Sequence, residues 1–234
     1  MDPQEKELIS RALHKGLFGA CFDHLAIVVH NKNIFQALFT YLGLQPGYNR
    51  RGIGDGTTSM DTVVMHAPFS QQIAAGQLQI AFMSGNDGMA ADGHKILSQI
   101  SEYFNRRGNF FVQHIAIRCH NIALLVEAWS ALGVKFITAD ENGPLILVDH
   151  DGKNTYLQCF TYPVVETSGT FLELKQIVLP DDEILTSSKQ FRDANVEGLW
   201  EHVDRQLKSI FEQNIFGEPN LENSLKHRGA FPAI

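Results

Sequence analysis

Hydrophobic and polar positions follow the same succession twice along this chain. The first copy opens with FDHLAIVVH (22–30), a run rich in Ile and Val that predicts a β-strand. The stretch NIFQALFTYLGL comes next, and its apolar residues recur at the spacing of a helix that ends near Gly43. Two further strand-like runs, TSMDTVVMHAP and LQIAFMSG, complete the first copy.

The second copy opens with FVQHIAIRCH (111–120) and repeats this order. Its helical stretch, NIALLVEAWSALGV, also reaches a leucine–glycine pair, and three strand-like runs follow: PLILVDHD, NTYLQCFTY and GTFLELKQIV. Asn31 and Asn121 stand at matching positions before the two helices, where asparagine is a good N-cap. We therefore predict an α+β fold in which two tandem βαβββ modules form an open β-barrel.

The repeat divides the chain into five parts. We expect an N-terminal helix or arm over 1–21, the first module over 22–84 and the second module over 111–178. The linker 85–110 contains KILSQISEYFNRR, which has the apolar spacing of an amphipathic helix. In the last part, 179–234, the stretch NVEGLWEHVDRQLKSIFEQ predicts a lid helix, followed by a polar tail.

Composition narrows the class of protein. With 44% hydrophobic and 19% charged residues the chain is typical of a globular protein, and its net charge of −7 disfavours nucleic acid as a partner. No apolar run approaches the ~18 residues that span a bilayer, and the first residues lack the apolar core of a signal peptide. The three cysteines are far apart and form no CxxC pair, which indicates reduced thiols and a cytoplasmic protein.

Three residues stand out as candidate metal ligands. His24 and His114 occupy matching strand positions in the two modules, and inward-facing side chains of matching strands converge in a barrel. Glu173 lies in the apolar strand TFLELKQ, where a buried carboxylate is costly unless it is paired or bound to a metal. Two histidines and one carboxylate make the facial triad of non-haem Fe(II) oxygenases, although the same donors also serve catalytic zinc. Taken singly, each residue would be more typical of a satisfied core histidine or a strand-edge glutamate.

Two longer segments resemble the 4-hydroxyphenylpyruvate dioxygenase family of the vicinal oxygen chelate superfamily: ILSQISEYFNRRGNFFVQHIAIRCHNI and YLQCFTYPVVETSGTFLELKQ. DHLAIVV is similar to the family's first metal-binding strand, and the resemblance covers residues 20–210, the family's catalytic half. It implies that His24, His114 and Glu173 bind Fe(II), with O₂ as co-substrate. The implied reaction decarboxylates a small 2-oxo acid, of aryl type, and hydroxylates the same molecule.

The resemblance also implies a set of substrate-binding residues. These are Gln99, Gln113, Gln158, Phe160, Ser59, Phe191, Asn195 and Val196. The chain departs from the family at AFMSGND, which lacks a Leu-Asn-Glu element, and at FRDANV, where Val196 replaces an aromatic residue of the lid. These departures favour a 2-oxo acid other than 4-hydroxyphenylpyruvate.

Two other functions stay open at this point. Extradiol ring cleavage uses the same triad on a catechol, and it would require His66 or His150 to point into the cavity as an acid–base group. A metal-free ligand-binding protein of the same fold is the non-enzymatic alternative. The sequence also leaves a homodimer open.

Overall fold

A computed structural model describes residues 2–68, 78–138, 143–151, 154–163 and 169–179, together with Glu197 and Trp200. The chain begins with helix α1 (Pro3–Leu17), which is capped by the Asp2 side chain. Most of the predicted lid and tail, 179–234, lies outside the described residues. Within the described ranges no helix is both long enough and apolar enough to cross a membrane.

The first module contains one helix and four strands. They are β1 (Cys21–Val28), α2 (Lys32–Tyr41), β2 (Gln45–Gly54), β3 (Ser59–His66) and β4 (Gln79–Asn86). The side chain of Asn31 accepts a hydrogen bond from the Asn33 backbone, as expected of an N-cap. Gly43 follows α2 with φ 95°, a conformation that favours glycine and lets the chain turn into β2.

The linker carries the short pair β5 (Gly88–Met89) and β6 (Lys95–Ile96), followed by helix α3 (Gln99–Arg107). The predicted helix began earlier, at Lys95. The observed helix α3 starts at Gln99 because Lys95 and Ile96 pair with β5, and because the Ser98 hydroxyl accepts from the Ser101 backbone as an N-cap.

The second module repeats the first. Its elements are β7 (Phe111–Arg118), α4 (Ile122–Ala131), β8 (Leu147–Asp151), β9 (Asn154–Phe160) and β10 (Phe171–Val178). Asn121 caps α4 by accepting from the Leu124 backbone. Helix α1 packs on α4 so closely that a Cβ at Gly16 would lie 2.7 Å from the Leu125 side chain.

All eight long strands form one curled sheet in the order β2-β3-β4-β1-β7-β10-β9-β8. The two modules meet at the antiparallel pair β1–β7, and each of these strands has a parallel neighbour, β4 or β10. Outwards from the junction, the strands of the first module follow the order β1-β4-β3-β2 and those of the second module the order β7-β10-β9-β8, so the two modules have the same strand order. The predicted α+β fold of tandem βαβββ modules is confirmed, and the junction brings β1, β7 and β10 side by side.

Strand β2 is the strand of the eight-stranded sheet that the hydrophobic pattern did not indicate. Its sequence, QPGYNRRGIG, has little alternation, and only Ile53 among its ten residues is buried. β2 lies at the edge of the sheet, pairs with β3 alone and shows two register shifts. An edge strand that faces solvent does not need an apolar face, so periodicity gives no signal for it.

Candidate metal centre

Three predicted ligand residues come together at the centre of the sheet. His24 lies on β1, His114 on β7 and Glu173 on β10, and all three side chains are buried. The two histidine Nε2 atoms are 3.3 Å apart. Glu173 Oε2 lies 3.6 Å from Nε2 of His24 and 3.3 Å from Nε2 of His114. The three donor atoms thus form a small triangle in the interior.

This triangle fits a transition-metal ion. An ion with bonds of about 2.1 Å separates two neighbouring octahedral donors by about 3.0 Å. The observed separations of 3.3 to 3.6 Å exceed that value by only a few tenths of an ångström, within the reach of small side-chain movements. Two imidazole nitrogens and one carboxylate oxygen are the donors of a 2-His-1-carboxylate Fe(II) site, and they also suit zinc.

The strands that carry the histidines are irregular just beside them. Where β1 pairs with β7, Phe22 pairs with Ile117 and His24 pairs with the adjacent Ala116, so Asp23 is an extra residue in β1. A second register shift makes Gln113 the extra residue in β7. Such shifts are typical of β-bulges, which redirect side chains near functional sites. Each extra residue directly precedes a histidine of the triangle.

Both extra residues hydrogen-bond to the histidine that follows them. Asp23 Oδ1 lies 2.8 Å from His24 Nδ1, and Gln113 Oε1 lies 3.1 Å from His114 Nδ1. A carboxylate oxygen or an amide oxygen can only accept, so Nδ1 of each ring donates the proton. In this tautomer Nε2 carries a lone pair and faces the centre of the triangle, as a metal ligand requires.

The charge states of Glu173 and His114 also suit a metal. Burial alone would raise the pKa of Glu173. When its ring is protonated, His114 donates a hydrogen bond to Glu173 from Nε2, and this bond and the positive charges of His24, His114 and Lys175 lower the pKa of Glu173 to about 2. Gln158 Nε2 donates to the other carboxylate oxygen at 2.7 Å. Burial lowers the pKa of His114, opposed by Glu173. An ionised carboxylate and a neutral imidazole are the forms that bind metal.

Asp23 lies in a buried group of charges behind His24. Arg118 donates two hydrogen bonds to Asp23 Oδ2, from Nε at 2.9 Å and from Nη2 at 2.6 Å. Lys175 Nζ lies 3.6 Å from Asp23 Oδ1, and both side chains are almost completely buried. Burial would raise the pKa of Asp23, but Lys175, His24 and Arg118 hold it far below its ordinary value. Asp23 is therefore an anion inside the protein.

The triangle opens onto a cavity of about 40 Å³. Gln158 shares the polar side of this cavity with the three candidate ligands, and its Oε1 atom is buried and has no hydrogen-bond partner among the described residues. The remaining lining comes from the first module and is mostly apolar: Ala26, Tyr48, Met60, Thr62, Val64, Ala81 and Met83.

The other predicted substrate residues lie elsewhere. Gln113 is bound to His114, Ser59 is on the opposite face of β3 from Met60 and accepts from Asn86 Nδ2, and Gln99 is buried at the start of α3. Phe160 packs against Phe171. None of these four lines the cavity of about 40 Å³, and their role as substrate-binding residues stays a prediction. Three predicted lid residues lie outside the described residues: Phe191, Asn195 and Val196.

Sequence reasoning missed Asp23, Arg118 and Lys175. A signal was present, because Lys175 is a second charged residue in the apolar strand that contains Glu173, and Arg118 is a charged residue in the apolar strand that contains His114. A charged residue in such a strand indicates a buried partner of opposite charge. The apolar wall could also have been found, since Met60, Thr62 and Val64 alternate along one strand and share one face of it.

Comparisons with known proteins concern the sequence and the fold. No family model matches the chain. The 4-hydroxyphenylpyruvate dioxygenase of Danio rerio is 33% identical over 103 residues, and that of Xenopus tropicalis is 31% identical over the same length. Each match covers 34% of this chain and 26% of the relative, so the chain matches about a quarter of those proteins.

A solved structure extends the comparison to most of the chain. A mutant of 4-hydroxymandelate synthase from Streptomyces coelicolor superposes with a TM-score of 0.61 at 18% identity, over 80% of this chain and 54% of that protein. At this identity the likeness concerns the fold. The chain has the vicinal oxygen chelate fold, and part of its sequence resembles 4-hydroxyphenylpyruvate dioxygenase.

Proposed function

We propose that the protein is a non-haem Fe(II)-dependent dioxygenase that oxidatively decarboxylates a 2-oxo acid and hydroxylates the same molecule. The observation that carries this proposal is the buried triangle of His24, His114 and Glu173, with both histidines in the metal-binding tautomer. The partial sequence likeness to 4-hydroxyphenylpyruvate dioxygenases supports iron as the metal and a 2-oxo acid as the substrate class.

The residues of the chain would hold the metal and orient the substrate. Bound Fe(II) would supply the redox chemistry with O₂, and a three-donor site leaves coordination positions open for O₂ and for a chelating substrate. Gln158 keeps Glu173 oriented through its amide N–H. Its unpartnered Oε1 offers an acceptor to a hydroxyl group of the substrate or to an ordered water.

The cavity lining favours a substrate with an uncharged tail. Met60, Val64 and Met83 form a wall that gives a charged group no partner, and loss of hydration there would be costly. An aryl or alkyl tail gains from burial against the same wall. Because about 40 Å³ accommodates only a few water molecules, the flexible side chains of Met60 and Met83 must move when a larger tail enters.

No observation among the described residues favours ring cleavage. His66 Nδ1 lies 2.9 Å from the Ala67 carbonyl oxygen at the end of β3, and His150 is exposed with Nδ1 3.2 Å from Thr155 Oγ1. Neither side chain lines the cavity, so neither is placed to exchange a proton with a bound catechol.

Anaerobic reconstitution with Fe(II) tests the proposal. The apoprotein is loaded, its iron is quantified, and O₂ uptake and CO₂ release are measured with phenylpyruvate, 4-hydroxyphenylpyruvate, 4-methyl-2-oxopentanoate and catechol. We expect one iron per chain and coupled O₂ uptake and CO₂ release with at least one 2-oxo acid. Uptake with catechol alone would indicate ring cleavage instead, and a protein that binds no metal would indicate a ligand-binding module.

Two variants complete this experiment. Glu173→Ala removes the carboxylate donor and should abolish iron-dependent O₂ uptake. Glu7→Ala removes an exposed glutamate on α1, which pairs with Arg11, and serves as the matched control that keeps full activity. Unchanged turnover in the Glu173 variant would overturn the assignment.

A further inference from the structure

The two histidines of the metal centre are supported by different chemistry. His24 donates to Asp23, a buried carboxylate that Arg118 and Lys175 contact, whereas His114 donates to Gln113, a neutral amide. The backbone arrangement is the same on both sides, because each supporting residue is the extra residue of a register shift between β1 and β7. The difference therefore lies in charge and in what anchors the supporting side chain.

Asp23 is anchored by the other module. Asp23 belongs to β1 of the first module, whereas Arg118 and Lys175 belong to β7 and β10 of the second. Arg118 and Lys175 are direct register partners in the β7–β10 pair, where like charges repel each other. The Asp23 carboxylate lies close to both cations and compensates this repulsion. The contact thus ties the first module's ligand to the second module.

This anchoring restricts the carboxylate to one orientation. Arg118 holds Oδ2 through two hydrogen bonds, which leaves Oδ1 directed at His24 Nδ1. A carboxylate that accepts from a ligand histidine fixes its tautomer and ring orientation and makes the imidazole a stronger donor to the metal. Gln113 can fix the ring of His114 in the same way, but it adds no charge.

We propose that Asp23, held by Arg118 and Lys175 across the junction between the modules, is a positioning residue that presents His24 Nε2 to the metal and sets metal affinity more strongly than Gln113 does. This inference rests on the metal site of the proposed function. It makes a complete metal site dependent on correct docking of the two modules.

Cobalt(II) binding to the full-length apoprotein, measured under nitrogen by competition with a chromophoric chelator, tests the inference. Asp23→Asn keeps the shape of the side chain and removes its charge, and we expect about 10- to 100-fold weaker binding. The matched variant Gln113→Met removes the support of the other histidine and should weaken binding by less than the Asp23 substitution does. An Asp23→Asn protein that folds and binds Co(II) as tightly as wild type would overturn the inference.

Arg118→Gln provides a second test if the Asp23→Asn protein does not fold. The Arg118 side chain is partly exposed and Asp23 is kept, so this variant is expected to fold. We expect weaker binding, by less than the loss of about 10- to 100-fold in Asp23→Asn, since Asp23 loses its anchor but keeps its charge. Unchanged affinity in a folded Arg118→Gln protein would count against the inference in the same way.

A metal-free readout separates this inference from the proposed function. Long-range ¹H–¹⁵N spectra of the apoprotein should show His24 protonated at Nδ1 in the wild type. In Asp23→Asn we expect a mixture of tautomers, because the single amide oxygen of Asn faces Arg118 and Lys175 as well as His24, whereas Gln113 has no such competing cations. A purely structural Asp23 would lower the melting temperature in the variant and leave the tautomer unchanged, which would overturn the inference. A wild-type protein that binds no Co(II) would instead overturn the proposed metal site, while the tautomer result would still decide the role of Asp23.

Discussion

Residue Ala81 of the first module and residue Glu173 of the second occupy equivalent places in the sheet. Ala81 on β4 pairs with Ala26 on β1, and Glu173 on β10 pairs with Ala116 on β7. Ala26 and Ala116 each lie two residues after a histidine of the site. The same backbone position therefore carries a candidate ligand in one module and part of the cavity wall in the other.

This difference shows how a duplicated fold yields an unequal site. The second module contributes Glu173 and Gln158 beside His114, whereas the first contributes His24 and the wall that includes Met60 and Met83. One carboxylate in place of two leaves more of the metal's coordination positions open. The asymmetry is what a site needs if it is to hold a metal on one side and an apolar substrate tail on the other.

The largest effect on activity is expected from a substitution that gives the first module a carboxylate at the position equivalent to Glu173. Ala81→Glu would place a second carboxylate beside His24, raise Fe(II) affinity and occupy a coordination position, so O₂ uptake should fall at least about 100-fold. Ala81→Leu fills the same space without a donor and should lower turnover while leaving Fe(II) affinity unchanged. Iron titration and O₂ uptake measure both quantities. Equal Fe(II) affinity in Ala81→Glu and Ala81→Leu would show that the two positions are not equivalent towards the metal.

A smaller effect is expected from the wall. Met60→Ala should improve kcat/KM for the bulkier phenylpyruvate relative to 4-methyl-2-oxopentanoate by about tenfold, because removed methylene groups make room in a hydrophobic pocket. Met65→Ala is the matched control, since Met65 is equally buried but lies on the opposite face of β3, under α2. Both variants should lose thermal stability. A similar change in selectivity for both would show that Met60 does not contact the substrate.

The smallest expected effect is a pH dependence of the free energy of unfolding of the apoprotein. Glu173 has a pKa of about 2 in the folded protein, below its ordinary 4.5, so the unfolded chain takes up the proton more readily. The stabilising contribution of the Glu173 carboxylate is therefore complete above pH 4.5 and is lost as pH falls from 4.5 towards 2. Denaturant melts of wild type and Glu173→Gln over this window should converge at the acid end. A constant difference between the two would contradict the pKa shift.

The candidate ligands could be predicted from the sequence because the two modules repeat the same pattern. Two strands in matching positions place His24 and His114 together, and an isolated charge in an apolar strand adds Glu173. The two register shifts could not be predicted from the sequence. The alternation of apolar and polar residues indicates which face of a strand a residue occupies, but it does not show where one strand has an extra residue relative to its partner. The hydrogen bond between Gln113 and His114 was therefore not predicted.

Two further gaps have similar physical causes. Strand β2 escaped prediction because an exposed edge strand needs no apolar pattern. The link between Asp23, Arg118 and Lys175 joins residues that lie far apart along the chain, and only strand order brings them together. Sequence patterns predict individual helices and strands, whereas contacts across the junction between the modules depend on how the modules dock.

Anaerobic titration of the apoprotein with Fe(II), in wild type and in Glu173→Gln, tests the central claim most directly. The triangle of His24, His114 and Glu173 predicts one tightly bound iron per chain in the wild type, and loss of that binding in a variant that keeps the wild-type circular dichroism spectrum. Iron binding of equal stoichiometry and affinity in both proteins, or none in the wild type, would contradict the account.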